Sequence, residues 1–203
     1  MENKQSFIAD ARREQIIKAA IEVLQEIGYV NTTLAKIAKK ANISTGLISY
    51  HFSGKEDLMN QTLMYLVEQE WAFVNERVSQ KQTSTEKLTA FVEASLAYQV
   101  TNRTSNIALI EIVFNARTPE HIPYYLMEED DDDLMKSLLQ DILIQGQKLK
   151  EFRDFDSQVT ATIIQGAISE SMLNYQSNIS IEAYSEELVK NIMIMVKRNP
   201  LSQ

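Results

Sequence analysis

The segment NTTLAKIAKKANISTGLISYHFSGKEDL, Asn31 to Leu58, holds four lysines and one histidine, and its only two acids stand near its far end. The whole chain of 203 residues, by contrast, has a formal charge of −8 at pH 7. Residues 1–58 carry eight Lys or Arg against seven Asp or Glu, whereas residues 59–203 carry twelve against twenty-one. This asymmetry suggests a small anion-binding head on an acidic body. A chance fluctuation in a short window could give the same charge difference. The helical pattern of the segment therefore has to show whether it forms an anion-binding head.

The pattern of this segment predicts two short helices between two longer ones. Before it, REQIIKAAIEVLQEIG repeats apolar residues at intervals of three and four, which is typical of an amphipathic helix that ends at Gly28. Each following helix has a candidate N-terminal cap. These caps are Thr32 or Thr33 for the second helix, Ser44 for the third, and Ser53 with Glu56 as a capping box for the fourth.

Only the residues KAN separate the second and third helices, which is the tight turn of a helix-turn-helix. In that motif the third helix enters the major groove of DNA and the second crosses the phosphate backbone. Lysines would contact phosphates, and small or hydroxylated side chains would approach base edges and the DNA backbone. We expect Tyr50 to contact the DNA backbone; its alternative is a place in the core, which we expect for Phe52. His51 could touch a phosphate or instead fix the start of the fourth helix. The candidate DNA-binding residues are Thr33, Lys36, Ser44, Thr45, Gly46, Ser49, Tyr50, His51 and Lys55.

The stretch TTLAKIAKKANISTGLISYHFSGKEDL resembles the DNA-binding segment of the TetR family of bacterial transcription regulators. The resemblance covers about residues 10–60 and needs no insertion. Thr45 and Ser49 depart from it, because a basic residue and an aromatic residue are common at those positions; the base preference therefore stays open. The resemblance implies a homodimeric repressor that leaves a palindromic operator when a small-molecule effector binds its C-terminal domain. The alternatives are an activator, or a regulator that a partner protein controls.

The rest of the chain is predicted to be helical as well. Five glycines and three prolines leave few strand turns and few helix breakers. Amphipathic patterns continue to the end of the chain, with no repeat or linker between them. We therefore predict an all-α fold of about nine helices. A three-helix helix-turn-helix head, residues 1–58, would be joined by a long helix to a helical-bundle body, residues 59–203, that binds the effector and dimerises.

The last two helices combine small residues with large apolar ones, which suits a four-helix bundle between two subunits. The resemblance implies the same homodimer interface, and packing within one subunit is the alternative. The candidate interface residues are Ile163, Gly166, Ala167, Met172, Leu188, Ile192, Met195 and Val196.

Glu111 is the least expected residue of the body, because it stands within the apolar run IALIEIVF. A carboxylate there needs a partner, a proton or a cavity. Pairing with Arg103 or Arg117 is one alternative, and a cavity for a cationic or hydrogen-bonding effector is the other. The candidate effector-binding residues are Trp71, Tyr98, Glu111, Asn115, Arg117, Gln165, Glu170 and Asn174.

Several other classes of function find no support in the sequence. There is no cysteine, and the two histidines, His51 and His121, stand in no catalytic or metal-binding spacing. The acidic run Glu128–Asp133 lacks the glycine turn of a calcium loop and suits a solvated helix N-terminus. We expect no enzyme activity, no cofactor and no metal site; an enzyme or helical ligand-binding protein with a vestigial head is the remote alternative. The N-terminus lacks the apolar core of a signal peptide, and no apolar run is long enough for a membrane span, which predicts a cytoplasmic protein.

Overall fold

The computed structural model describes residues 2–126, 133–173 and 180–198, with the backbone alone for residues 2–6 and 172–173. Nine α-helices and one short 3₁₀ turn, Tyr124–Leu126, make up the regular structure of these residues, which confirms the predicted all-α fold class. The helices are α1 (Glu2–Asn31), α2 (Leu34–Lys40), α3 (Thr45–His51), α4 (Lys55–Ser79), α5 (Ser84–Thr101), α6 (Arg103–Asn115), α7 (Leu134–Lys148), α8 (Ser157–Leu173) and α9 (Ile181–Val196).

The chain divides by packing into two compact units. The first unit contains Met1–Glu68 and Asn102–Glu128, and the second contains Gln69–Thr101 and Glu129–Gln203. The helix α6 therefore belongs to the same unit as the first three helices. The predicted boundary between residues 58 and 59 separates a DNA-binding part from an effector-binding part, whereas the two units are defined by packing alone. The functional boundary therefore stays a prediction.

The first unit has a single apolar core to which α6 contributes. The apolar stripe of α1, with Ile16 and Leu24 fully buried, packs with Ile37 of α2 and Ile48 of α3. From α6, Ala108 and Ile112 join the same cluster and are also fully buried. Because burial of apolar surface drives folding, the helix-turn-helix depends on α6, which begins 52 residues after α3 ends (103 − 51).

Gly28 interrupts α1, as the sequence suggested. Its φ of 73° and ψ of 169° are not helical, and a φ in this range is open chiefly to glycine. The interruption turns the backbone before Thr32, whose hydroxyl donates to the Gly28 carbonyl at 2.7 Å. The chain is thereby directed into the turn that precedes α2.

The second unit is centred on Phe91 of α5 and Phe152, which follows α7, and both are almost fully buried. Glu151 caps the N-terminus of α5, because its carboxylate accepts the N–H groups of Ser84 and Thr85 at 3.0 and 2.9 Å. Asp133 caps α7 by accepting the Lys136 N–H at 3.0 Å. The remainder of the acidic run, residues 128–132, lies outside the described residues.

Candidate nucleic-acid interface

The helix-turn-helix is held by the two caps that the sequence indicated. Thr33 caps α2, where its hydroxyl oxygen accepts the Lys36 N–H at 3.3 Å. Ser44 caps α3 in the same way through the Leu47 N–H at 3.2 Å. Asn42 turns the chain between the two helices with a φ of 55°, a conformation that asparagine tolerates better than most residues. At the start of α4, the Ser53 N–H binds Asp57 at 2.8 Å rather than Glu56, so the predicted capping box is wrong.

The predicted DNA-contacting side chains form a mostly exposed surface on α2, α3 and their flanks. Tyr50 is 81% exposed, while Ile48 on the opposite face is fully buried. Phe52 is 2% exposed, in agreement with its predicted place in the core. Thr33, Lys36, Ser44, Thr45, Gly46 and Ser49 are exposed, and His51 and Lys55 are half-buried. No acidic residue occurs between residues 31 and 55, so this surface carries no carboxylate of its own.

The four lysines of the segment differ in their surroundings. Lys40 is paired with Glu26 at 2.6 Å and Glu22 at 3.1 Å, so its charge is offset by α1. The ammonium of Lys36 donates to the Asn31 carbonyl at 2.8 Å but stays exposed. Lys39 is exposed and makes no ion pair within the described part of the chain. Lys36 and Lys39 are therefore the cations of α2 that are best placed to meet an anionic partner.

Lys55 is engaged inside the first unit. Its ammonium donates to the Tyr29 carbonyl at 2.8 Å and lies 4.2 Å from the centroid of the Tyr29 ring. Burial lowers the pKa of Lys55, because a charged ammonium loses hydration there. Its predicted phosphate contact stays a prediction, and its intramolecular contacts were not foreseen.

Arg13 was missed by the sequence analysis, although it joins α1 to the end of α3. One guanidinium nitrogen donates to the His51 carbonyl at 2.9 Å, another donates to the Gln61 side chain, and the group lies 4.9 Å from the Phe52 ring centroid. The available signal was its position one turn before Ile16 and Ile17, on the buried stripe of α1.

The predicted effector-binding residues are divided between the two units. Glu111, Asn115 and Arg117 lie in the first, and Trp71, Tyr98, Gln165 and Glu170 lie in the second. Glu111 accepts the backbone N–H of Tyr29 at 2.7 Å, while Arg117 donates to the His121 carbonyl at 3.0 Å. Asn115 is exposed and donates to the Glu111 carbonyl at 2.9 Å. Asn174 lies outside the described residues.

The second unit contains polar groups that the sequence did not single out. Burial, with a smaller contribution from the negative charge of Asp133, raises the pKa of Glu70 to about 7. The hydroxyl of Ser95 is buried and has no hydrogen-bond partner among the described residues. One turn further along α5, the Gln99 side chain accepts a hydrogen bond from the Ser171 hydroxyl at 2.7 Å. The ring of Tyr98 lies 5.4 Å from that of Phe73, so polar and aromatic groups occur together in this unit.

The predicted dimer residues differ in exposure. Ile192 and Val196 are buried in the core of the second unit, and Leu188 and Met195 are half-buried against it. Ile163 is 53% exposed, and Gly166 has open space where a Cβ would stand. The backbone carbonyl of Ala167 accepts a hydrogen bond from the Tyr184 hydroxyl at 3.0 Å. The side chain of Met172 lies outside the described part. Val159 and Ile194, which the sequence analysis did not single out, are 57% and 71% exposed.

The described residues offer neither a metal site nor a membrane-spanning helix. No group of three or more His, Cys, Asp or Glu side chains there could hold a metal ion. Among the helices described, none is both long enough and apolar enough to cross a membrane.

Comparison with known proteins agrees with this geometry. Residues 16–62 match the family model of bacterial regulatory proteins, tetR family. The HTH-type transcriptional regulator BetI of Burkholderia ambifaria is 36% identical over 87 residues, which are 42% of this chain and 45% of that protein. The matched part is thus less than half of that relative's length.

Solved structures extend the likeness beyond the head. FadR of Bacillus subtilis, in complex with stearoyl-CoA, is 25% identical with a TM-score of 0.74, over 88% of this chain and 96% of that one. A tetR-family protein from Rhodococcus RHA1 shares the fold with a TM-score of 0.76 at 21% identity, over 92% and 97% of the two chains. These findings mean that residues 16–62 match the tetR family of bacterial regulatory proteins, and that the chain as a whole shares the fold of the two solved structures.

Proposed function

We propose that this protein is a homodimeric repressor that binds a palindromic operator in double-stranded DNA and leaves it when a small-molecule effector binds its C-terminal helices. The observation that carries the proposal is the exposed surface of α2 and α3, which is free of carboxylates in a chain of charge −8. A polyanion would be repelled by acids at this place and attracted by Lys36 and Lys39. The cytoplasm is where such a regulator would work.

Sequence recognition is assigned to α3. Thr45 and Ser49 lie one helical turn apart and are exposed, and Tyr50 is the most exposed of the large apolar side chains described. Hydroxyl groups can donate to or accept from base edges, whereas lysines on phosphates add affinity without sequence preference. We therefore expect α3 to determine which operator is bound and α2 to strengthen the binding to any duplex.

Replacing Thr45 or Tyr50 with alanine should weaken binding to the preferred operator about tenfold, since one lost base-edge contact costs about 1–3 kcal/mol. Binding to random duplex should change little. The operator is first selected from random duplexes that the purified protein retains, and gel shifts at two salt concentrations then give the affinities. Thr104→Ala, at an exposed position of α6, is the matched control. Wild-type protein that retains no duplex even at low salt would contradict the proposed function.

The proposed dimer interface is the exposed apolar face of α8 and α9. Val159, Ile163 and Ile194 are each more than half exposed, and on α8 the open space at Gly166 permits the backbone of a second helix to come close. Two such helices from each subunit would form a four-helix bundle. In the dimer, the two α3 helices would reach successive major grooves if they stand about 34–36 Å apart.

Ile163→Asp should shift the protein from dimer to monomer at micromolar concentration, because a carboxylate would be buried without a partner in the apolar interface. Leu149→Asp is the control, since Leu149 is 65% exposed in the same unit but lies at the end of α7. Sedimentation velocity distinguishes the two forms. An Ile163→Asp protein that remains as dimeric as wild type would place the interface elsewhere.

The proposed effector site lies in the second unit. It keeps four of the eight residues expected from the sequence and adds Glu70 and Ser95; the four are Trp71, Tyr98, Gln165 and Glu170. The buried Ser95 hydroxyl supports this location, because buried polar groups are almost always hydrogen-bonded and a ligand could supply the missing bond. FadR of Bacillus subtilis was solved with stearoyl-CoA. Residues 59–203 of this chain are strongly acidic, however, which favours a cationic or neutral effector over a polyanionic one.

Thermal-shift assays with amines, neutral apolar compounds and stearoyl-CoA test the expected charge of the effector. Stabilisation by stearoyl-CoA alone would contradict a cationic or neutral effector.

A further inference from the structure

Tyr29 is held from two sides by charged side chains of other helices. Gly28 leaves the helical conformation, and the N–H of the next residue, Tyr29, then donates to a carboxylate oxygen of Glu111 on α6 at 2.7 Å. The carbonyl of Tyr29 accepts from the ammonium of Lys55 at 2.8 Å. The backbone N–H of Tyr29 is thus bound by a carboxylate and its carbonyl by an ammonium. Hydrogen bonds to charged groups are among the stronger ones in proteins.

The packing around these groups leaves little freedom. A Cβ added to Gly28 would lie 3.1 Å from the Glu111 carboxylate, so this oxygen and the backbone are already in close contact. The Lys55 ammonium also lies 4.2 Å from the Tyr29 ring centroid, which adds a cation–π contact. The Asn115 amide stands 3.4 Å from the same carboxylate oxygen of Glu111 and donates to the Glu111 carbonyl.

These contacts join the chain on both sides of the helix-turn-helix. Tyr29 precedes the Thr33 cap of α2, and Lys55 is the first residue of α4, shortly after α3 ends. Glu111 binds this pair to α6, whose Ala108 and Ile112 already pack in the core of the same unit. The same three residues therefore hold the chain just before α2 and just after α3.

We propose that Tyr29, Lys55 and Glu111 form a positioning clamp for the helix-turn-helix, and that Glu111, although acidic and absent from the DNA-binding surface, is required for full operator affinity. This inference rests on the proposed DNA binding. In this role Lys55 supports α3 from within the unit, in place of the phosphate contact that the sequence suggested.

The proposal predicts a change whose sign is opposite to that expected from charge alone. Removing a carboxylate from a protein that binds a polyanion should strengthen binding if long-range electrostatics were the only effect. Glu111→Gln should instead weaken operator binding about five- to tenfold, the loss expected when a charged hydrogen bond is replaced by a weaker neutral one. Glu111→Asp should weaken it as well, because the charge remains but the shorter side chain no longer reaches Tyr29.

The salt dependence separates the clamp from a phosphate contact. A lysine that neutralises one phosphate contributes about one unit to the slope of log affinity against log salt. Lys55→Met should lower operator affinity about as much as Glu111→Gln and leave this slope unchanged. Lys39→Met, at an exposed lysine of α2, should reduce the slope by about one. Glu120→Gln, at an exposed acid of the same unit, is the control for charge and should not weaken binding.

The experiment uses full-length dimer, the selected operator and fluorescence anisotropy at four salt concentrations. Hydrogen exchange of the Tyr29 amide, measured well below the melting temperature, gives a second readout that does not depend on DNA. The clamp predicts faster exchange at Tyr29 in both Glu111 variants, with the amides of α7 unchanged. Operator affinities and Tyr29 exchange equal to wild type would overturn the clamp while leaving the proposed function intact. A wild-type protein that binds no duplex would overturn the proposed function, and the role of the clamp in DNA binding with it.

Discussion

Gly146→Ala is expected to destabilise the folded protein by about 3 kcal/mol, a large value for the addition of one methyl group. The new methyl carbon would stand 2.8 Å from Cγ of Phe152 and closer still to two other carbons of its ring. Phe152 is 1% exposed and lies in the core of the second unit, so the ring has no solvent into which it could move. The higher helix propensity of alanine offsets only about 1 kcal/mol of this cost. Urea denaturation at fixed protein concentration measures the change.

Gly46→Ala is the control, because Gly46 also lies in a helix, outside the proposed dimer interface, and its Cβ would meet only the Ser44 hydroxyl oxygen at 3.9 Å, an ordinary contact. This variant should be neutral or slightly stabilising. The double variant Gly146→Ala, Phe152→Ala should lose little more stability than Phe152→Ala alone, since the small side chain leaves room for the methyl group. Equal losses for Gly146→Ala with and without Phe152 would mean that the ring is not the cause.

Glu70→Gln is expected to remove a pH dependence of stability that wild type shows between about pH 4.5 and 7. Burial raises the pKa of Glu70 from 4.5 to about 7, so the folded state binds a proton more tightly than the unfolded state. The stabilising contribution of this proton is complete below pH 4.5 and is lost as the pH rises through 7. The difference between the two pKa values corresponds to at most about 3 kcal/mol.

The measurement compares the free energies of unfolding of wild type and Glu70→Gln at pH 5 and pH 8. The variant should be clearly more stable than wild type at pH 8, with a much smaller difference at pH 5. Glu93→Gln, at an exposed position of α5, should show no such change between the two pH values. A constant difference between wild type and Glu70→Gln across this range would show that Glu70 is ionised in the folded protein throughout.

Local signals in the sequence were sufficient for the helix-turn-helix. The caps Thr33 and Ser44 each bind an N–H three residues away, and a pattern of this range can be read along the chain. The buried Ile48 and the exposed Tyr50 likewise follow from helical periodicity. The predicted all-α class rests on the same periodicity summed over the whole chain.

Contacts between distant parts of the chain could not be predicted in this way. Glu111 was recognised as unusual, but its partner is a backbone N–H 82 residues earlier, and no spacing rule connects the two. The lysines of the segment were all expected to contact phosphates, but Lys40 pairs with Glu22 and Glu26 of the preceding helix, and the helical pattern of the sequence did not indicate these ion pairs.

The apolar face of α9 posed a different difficulty for the sequence analysis. The helix is rich in apolar residues on more than one side, so composition could not show that Ile192 would be buried and Ile194 left 71% exposed. Only the packing of the second unit distinguishes the two faces. The exposed side of α9, which carries Ile194, is part of the proposed dimer interface.

The sharing of one core by α1 and α6 limits how this protein can be divided or recombined. A chimera that grafts residues 1–60 onto a foreign regulator would leave behind Ala108 and Ile112, and the face of α1 that they cover would meet water or a poorly matched helix. A transplant that also carries residues 102–126 would bring the native counterpart along. The proposed DNA-binding part of this protein is therefore discontinuous in sequence, and a biosensor assembled from it needs two segments of the gene rather than one.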